Sequence, residues 1–290
     1  MMRTLAILCL VAAPAFGLFE KGLRLRIPQP DGTFTYDKLP EKSKDAAAAG
    51  WKEFPKPPAA KGYESLKLMC SVNELTLCLL YDDTGNVAGA QINFVCDKYR
   101  GVFDWKEAGF TLWSVKTHRK TINFYSTTMF FMSTDTLRTS KDARKAHRNP
   151  STLLQDSNLF LEGFKHQLLK VSTRASDIVN KSPYTRQFCA AEMGYHYFYK
   201  MNKNTPCKAD TISQWAPLVI EDQLVGMVFM YPGAYNLTPE KREVFQHLTK
   251  EEIQVIVPDG PQCYYEYGAN PGMLLMHIYF IDKPETIKCP

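Results

Sequence analysis

Residues 75–95 read LTLCLLY, then DDTGN, then VAGAQINFV. Both flanks are rich in aliphatic, β-branched and aromatic residues, as strands are. Between them, Asp83-Thr84-Gly85-Asn86 supplies what a tight hairpin turn needs: a side chain that bonds its own backbone and a glycine free to take positive φ. The reading is an antiparallel hairpin, and it decides the fold because the pattern returns. Leu79-Leu80-Tyr81-Asp82-Asp83 with Val87-Ala88-Gly89 resembles Leu218-Val219-Ile220-Glu221-Asp222 with Leu224-Val225-Gly226.

Working outward, Gly62-Tyr63 through Met69 resembles Gly194-Tyr195 through Met201. Residues 129–132 with Asp135-Thr136-Leu137 resemble 278–281 with Glu285-Thr286-Ile287. The order is kept while the offset rises from 132 through 137–139 to 149–150 residues. This reads as an internal duplication with insertions in the second copy. Two unrelated hairpins with like turn chemistry are the competing reading. Further strand-like runs fall at 66–69, 110–115, 121–132, 195–200, 216–231, 253–257, 264–267 and 273–281. Phe160, Phe164, Leu168 and Val171 recur at helical spacing within 138–180. Thr238 as N-cap, Pro239, Val244, Phe245 and Leu248 predict a further helix.

The expected fold class is therefore α+β, predominantly antiparallel, with two related β units at 62–137 and 194–290 and a helical connector at 138–193. Their apolar faces are expected to bury each other. Residues 18–61 carry Pro28, Pro30, Pro40, Pro55, Pro57 and Pro58 and read as an extended arm that cannot pair regularly in a sheet; a propeptide is the competing reading. Residues 1–17, with Arg3, an apolar stretch and Ala15-Phe16-Gly17, fit a signal peptide.

The 290 residues, 45% hydrophobic and 22% charged, suit a folded chain with a substantial core. A formal charge of +5 from 35 basic and 30 acidic residues is too balanced for a nucleic-acid binder, and no apolar run is long enough to span a bilayer. Secretion favours disulfides. Cys70–Cys78, Cys189–Cys207 and Cys263–Cys289 are the local pairs expected, leaving Cys96 for a disulfide-linked dimer. Asn180 and Asn236 head glycosylation sequons.

No catalytic motif stands out, and no metal or other cofactor is expected. His196 and His277 sit on strands where the first unit has Glu64 and Thr128; with Glu266 they are the acid–base candidates. The acidic pairs Asp82/Asp83 and Glu221/Asp222 at the hairpin turns suit turn chemistry better than a cation site. The basic run from Arg138 to Arg148 reads first as a solvated helix face. Tyr195, Tyr197, Tyr199, Tyr265, Tyr267 and Tyr279 form an aromatic band suited to a small apolar ligand or an extracellular protein partner. The expected function is binding by a secreted protein, with an enzyme or a cross-linked matrix protein as the alternatives.

Overall fold

A computed structural model describes residues 19–58, 60–72, 74–116, 120–236 and 243–290. In chain order the strands are β1 Lys21–Pro28, β2 Phe34–Lys38, β3 Trp51–Phe54, β4 Lys67–Ser71, β5 Glu74–Tyr81, β6 Val87–Val95, β7 Tyr99–Gly101, β8 Thr111–Lys116 and β9 Thr121–Phe130. Then follow β10 Asn158–Glu162, β11 Leu168–Ser172, β12 Tyr184–Ala190, β13 Gly194–Tyr199, β14 Trp215–Ile220, β15 Gln223–Tyr235, β16 Gln246–His247 and β17 Met273–Ile281. Among the described residues six short α-helices intervene: α1 Ser43–Ala48, α2 Thr134–Arg138, α3 Lys141–His147, α4 Ala175–Lys181, α5 Lys250–Ile256 and α6 Gln262–Ala269.

The strands make two antiparallel sheets. The first runs β3-β4-β5-β6-β9-β10-β11, with β8 also on β9; the second runs β12-β13-β14-β15-β17-β1-β2, with β16 on β17 and β7 on β15. The two paths match position by position. The N-terminal hairpin β1–β2 occupies in the second sheet the place that β10–β11 occupies in the first.

The expected non-pairing arm is thus corrected: β1 pairs with β17 on one side and β2 on the other. Its prolines obey the rule that made the arm look unpaired. Pro28 ends β1, Pro30 lies in the turn, and Pro40 and Pro55 follow β2 and β3, so each missing N–H falls outside the ladder.

The connector is corrected too. β10 and β11 pair with Leu161 opposite Leu169, so Phe160, Phe164, Leu168 and Val171 belong to a hairpin. Its turn carries Lys165 and His166 at φ 50 and 60, a bend that brings residues of helix-like spacing together without a helix. Only α2, α3 and α4 flank it.

The expected strands at 253–257 and 264–267 are instead α5 and α6. Thr249 and Glu252 form a full capping box at the start of α5, which satisfies the first free N–H groups and commits the segment to helix. The expected cap Thr238 and Pro239 lie outside the described residues, while Val244, Phe245 and Leu248 are not helical.

The core has three parts. Between the sheets lie Phe94, Phe110, Phe131, Phe229, Tyr231, Phe245 and Phe280; Phe131 meets Phe280 across the layer at 5.5 Å between ring centres. Outside the second sheet, Val228, Leu275 and Tyr279 pack with Ile253 and Ile256 of α5 and Tyr264 of α6. Outside the first, Tyr63, Leu68, Leu80, Trp113 and Phe130 form the third cluster. Disulfides join Cys70–Cys78, Cys189–Cys289 and Cys207–Cys263. The first is as expected; the other two cross over. Local pairing fails because Cys189 lies on β12 beside the C-terminal segment, whereas Cys207 lies beside α6. Cys96 is unpaired and half-buried, and burial raises its thiol pKa.

The two central hairpins share a detail. Leu80 pairs with Gly89 and Tyr81 with Val87, a bulge; Leu218 pairs with Gly226 and Val219 with Leu224, the same bulge. A Cβ on Gly89 would stand 2.6 Å from the Met129 carbonyl oxygen, and one on Gly226 2.7 Å from that of Ile278. These neighbours are backbone and cannot swing aside. Gly89→Ala and Gly226→Ala are each expected to cost about 1–3 kcal/mol, read as matching drops in urea midpoint. No loss at either site would mean that the neighbouring strand gives way.

Candidate functional site

The tyrosine band divides between the two faces of the second sheet. Tyr197 is buried toward the inter-sheet core, with Tyr195 and Tyr199 packed at its margin. Tyr279 is buried in the outer layer, its hydroxyl donating to the Glu192 carbonyl at 3.0 Å. Tyr265 donates to the Val257 carbonyl at 2.8 Å, and Tyr267 packs on Phe103. Tyr265 and Tyr267 stand on α6, and this helical placement separates them from the strand tyrosines.

His196 and His277 come together in the outer layer, 6.0 Å apart at the ring centres, exposed by 0% and 2%. His196 Nδ1 donates to the Phe188 carbonyl at 3.3 Å. The Nε2 of each ring has no hydrogen-bond partner among the described residues. β1 aligns Arg24 with Tyr279 and Leu25 with Ile278, and the next step sets Arg26 beside His277. Arg26 donates to Gln246 at 2.9 Å and lies over the Phe34 ring. Burial holds both imidazoles neutral, and the Arg26 charge adds to the effect: His196 falls to about 4, and His277 is lowered as well. Glu266 stands apart, exposed on α6, its carboxyl held low by a 2.7 Å bond from Lys250. The described residues contain no group of three or more His, Cys, Asp or Glu that could hold a metal ion.

A buried polar row on the opposite sheet is absent from the sequence reading. β10 aligns Phe160 with Phe130 and Leu161 with Met129, so Glu162 falls next to Thr128, in the position Arg26 holds beside His277. Glu162 is 5% exposed, and burial raises its carboxyl pKa to about 7 even though Thr128 bonds to it. Beside it, Gln91 and Ser126 each donate to Asn93 Oδ1 at 2.7 Å. Pro57, Pro58 and Tyr63 close the row over a space of only about 10 Å³, one water at most. The sequence signal is Glu162 closing the apolar run Leu159-Phe160-Leu161, and a helical reading conceals which way it faces.

Larger openings reach solvent, among them one of about 620 Å³ between the β1–β2 turn and β16 and the two that follow. One, of about 550 Å³, lies along β12, the end strand of the second sheet, between Arg186, Phe188, Tyr195, Asp259 and the Cys189–Cys289 bridge. Arg186 lies 4.0 Å over the Tyr195 ring, and Phe188 is 45% exposed. A bulge between Arg186 and Cys189 interrupts the ladder. The other, of about 280 Å³, lies where α2 and α3 meet the turn of the first hairpin. There Asp82 Oδ1 accepts from Thr84 N at 3.0 Å, Thr84 Oγ1 at 2.6 Å and Asn86 N at 3.0 Å, and Asp83 pairs with Arg144. Glu221 and Asp222 form the matching turn at φ 46 and 62. Both acidic pairs have a place in turn chemistry.

Comparison of the chain with protein-family models, with curated proteins and with solved structures finds no match.

Proposed function

We propose that this chain is a secreted, disulfide-bonded binding protein built from two copies of one β unit, and that its partner is another extracellular protein held along β12. The matched path of neighbouring strands, whose last two places in the second sheet are filled by the N-terminal β1–β2, the shared bulge and the paired Gly89 and Gly226 support the two-copy reading. Three disulfides suit an oxidising compartment, and both sequon residues, Asn180 and Asn236, are exposed.

The observation that carries the binding reading is Phe188, a large aromatic 45% exposed on an end strand. Beside it is the Arg186–Tyr195 stack, and these residue types dominate protein interfaces. The bulge discourages a long backbone ladder, so recognition rests on side chains. A small apolar ligand fits less well, because aromatic rings fill the layer between the sheets.

The test compares recovery of a partner from the protein's own extracellular fluid by wild type, Phe188→Asp and Leu112→Asp, the last an exposed residue on the other sheet. Phe188→Asp is expected to lower recovery at least about tenfold while Leu112→Asp leaves it unchanged. Equal recovery by all three would overturn the proposal. Non-reducing electrophoresis of the same material tests a link through Cys96: a dimer band that Cys96→Ser abolishes is the expected sign of one.

A further inference from the structure

The cleft between the first hairpin turn and α3 points to a second, separate binding site. Nearly every polar group in its wall is already engaged. Arg144 donates to the Leu137 carbonyl at 2.9 Å and pairs with Asp83, with Asp82 at 3.7 Å. Asp156 accepts from Thr136 Oγ1 at 2.7 Å and from Ser133 N. Gln155 donates to the Thr152 carbonyl at 2.7 Å.

Arg148 differs. Its side chain lines the cleft half-buried, and among the described residues it makes no hydrogen bond or ion pair. Asp82 and Glu41 act on it only through space. None of its nitrogens is sealed from solvent. A guanidinium partly stripped of water and offered no acceptor has unused, directed donors that match a planar anion.

We propose that this cleft binds a small carboxylate with a short apolar body, its carboxylate on Arg148 and its apolar part against Met132 and Ala143. Two features set the ligand class. The space, about 280 Å³, suits a small molecule. Asp82 and Asp156 in the same wall disfavour a multiply charged phosphate, since each added negative charge meets theirs. The site lies on a different sheet from the β12 groove and does not depend on it.

The experiment titrates hexanoate, hexyl phosphate and hexylammonium into the full chain, following backbone amide shifts together with calorimetry. Hexanoate is expected to saturate and to move resonances from the turn at 82–86 and from α3. Hexyl phosphate should bind more weakly and hexylammonium not at all. Arg148→Gln should weaken hexanoate at least about tenfold, as loss of a charge-assisted pair does, and Arg148→Lys should recover part of that loss. Since Arg148 holds no internal partner, thermal unfolding of both variants should match wild type, which separates lost binding from lost folding. Equal hexanoate affinity in Arg148→Gln, tighter binding of hexylammonium, or shifts confined to other parts of the chain would overturn the assignment.

Discussion

Phe94→Ala is expected to lower the free energy of unfolding by about 3–5 kcal/mol. Phe94 is fully buried. It stacks on Phe245 at 5.0 Å and touches Tyr99 at 4.9 Å, Phe229 at 5.5 Å and Tyr235 at 5.5 Å. Phe94 stands on β6 of the first sheet, and those rings come from β7 and β15 of the second and from the segment leading into α5, so no single strand can move in to fill the hole. Tyr99 and Tyr235 are themselves register partners where β7 crosses onto the second sheet. Removing the ring therefore leaves a cavity and also loosens β7, which follows β6 of the first sheet in the chain and ladders onto β15 of the second. Urea unfolding with the disulfides intact measures the loss as a lower midpoint at unchanged slope. Phe188→Ala, at an exposed site, should stay within about 0.5 kcal/mol of wild type. A Phe94→Ala loss below about 1 kcal/mol would show that the aromatic layer does not join the sheets.

That ring cluster also shows what the chain announces and what it conceals. The hairpin at 75–95 was legible because alternation, turn chemistry and length agree, and each acts within a few residues. The facing of two apolar β surfaces followed from their need for cover. Cys70 and Cys78 could be paired because one hairpin holds both; the other pairs depend on where β12 and α6 end up, which no local spacing encodes. The place of β1 was hidden for the same reason: its partner β17 lies at the far end of the chain. β10 and β11 were lost to a coincidence of period, and with them Glu162, whose burial depends on the strap carrying Pro57 and Pro58. His196 and His277 were readable as residues on one face of their strands, but their mutual contact follows from the register of β13, β14, β15 and β17.

The matched places of Arg26 and Glu162 lead to the second large effect, a pH dependence made of two opposed parts. His196 has a folded pKa of about 4, below its ordinary value near 6.5. As pH falls through 6.5 the unfolded chain takes up the proton first, so the stability present above 6.5 is lost on the way down to about 4. The loss is about 3 kcal/mol, and His277, lowered by burial, Arg26 and His196, adds to it with the same sign. Glu162 runs the other way. Its folded pKa of about 7 exceeds the ordinary 4.5, so the unfolded chain gives up its proton first as pH rises. Stability present below 4.5 is lost by about pH 7, again about 3 kcal/mol. Between about 4.5 and 6.5 the slopes cancel, and wild type should show little pH dependence from this pair. Single variants separate the parts. Glu162→Gln should gain on wild type as pH rises from 4 to 8, whereas His196→Asn should gain on it as pH falls from 7 to 4. Urea midpoints at pH 4, 6 and 8 read both differences. A Glu162→Gln difference that does not change with pH would mean that the carboxyl reaches water in the folded protein. A constant His196→Asn difference would mean the same for the imidazole, and the sealed outer layers described for the two sheets would not then hold.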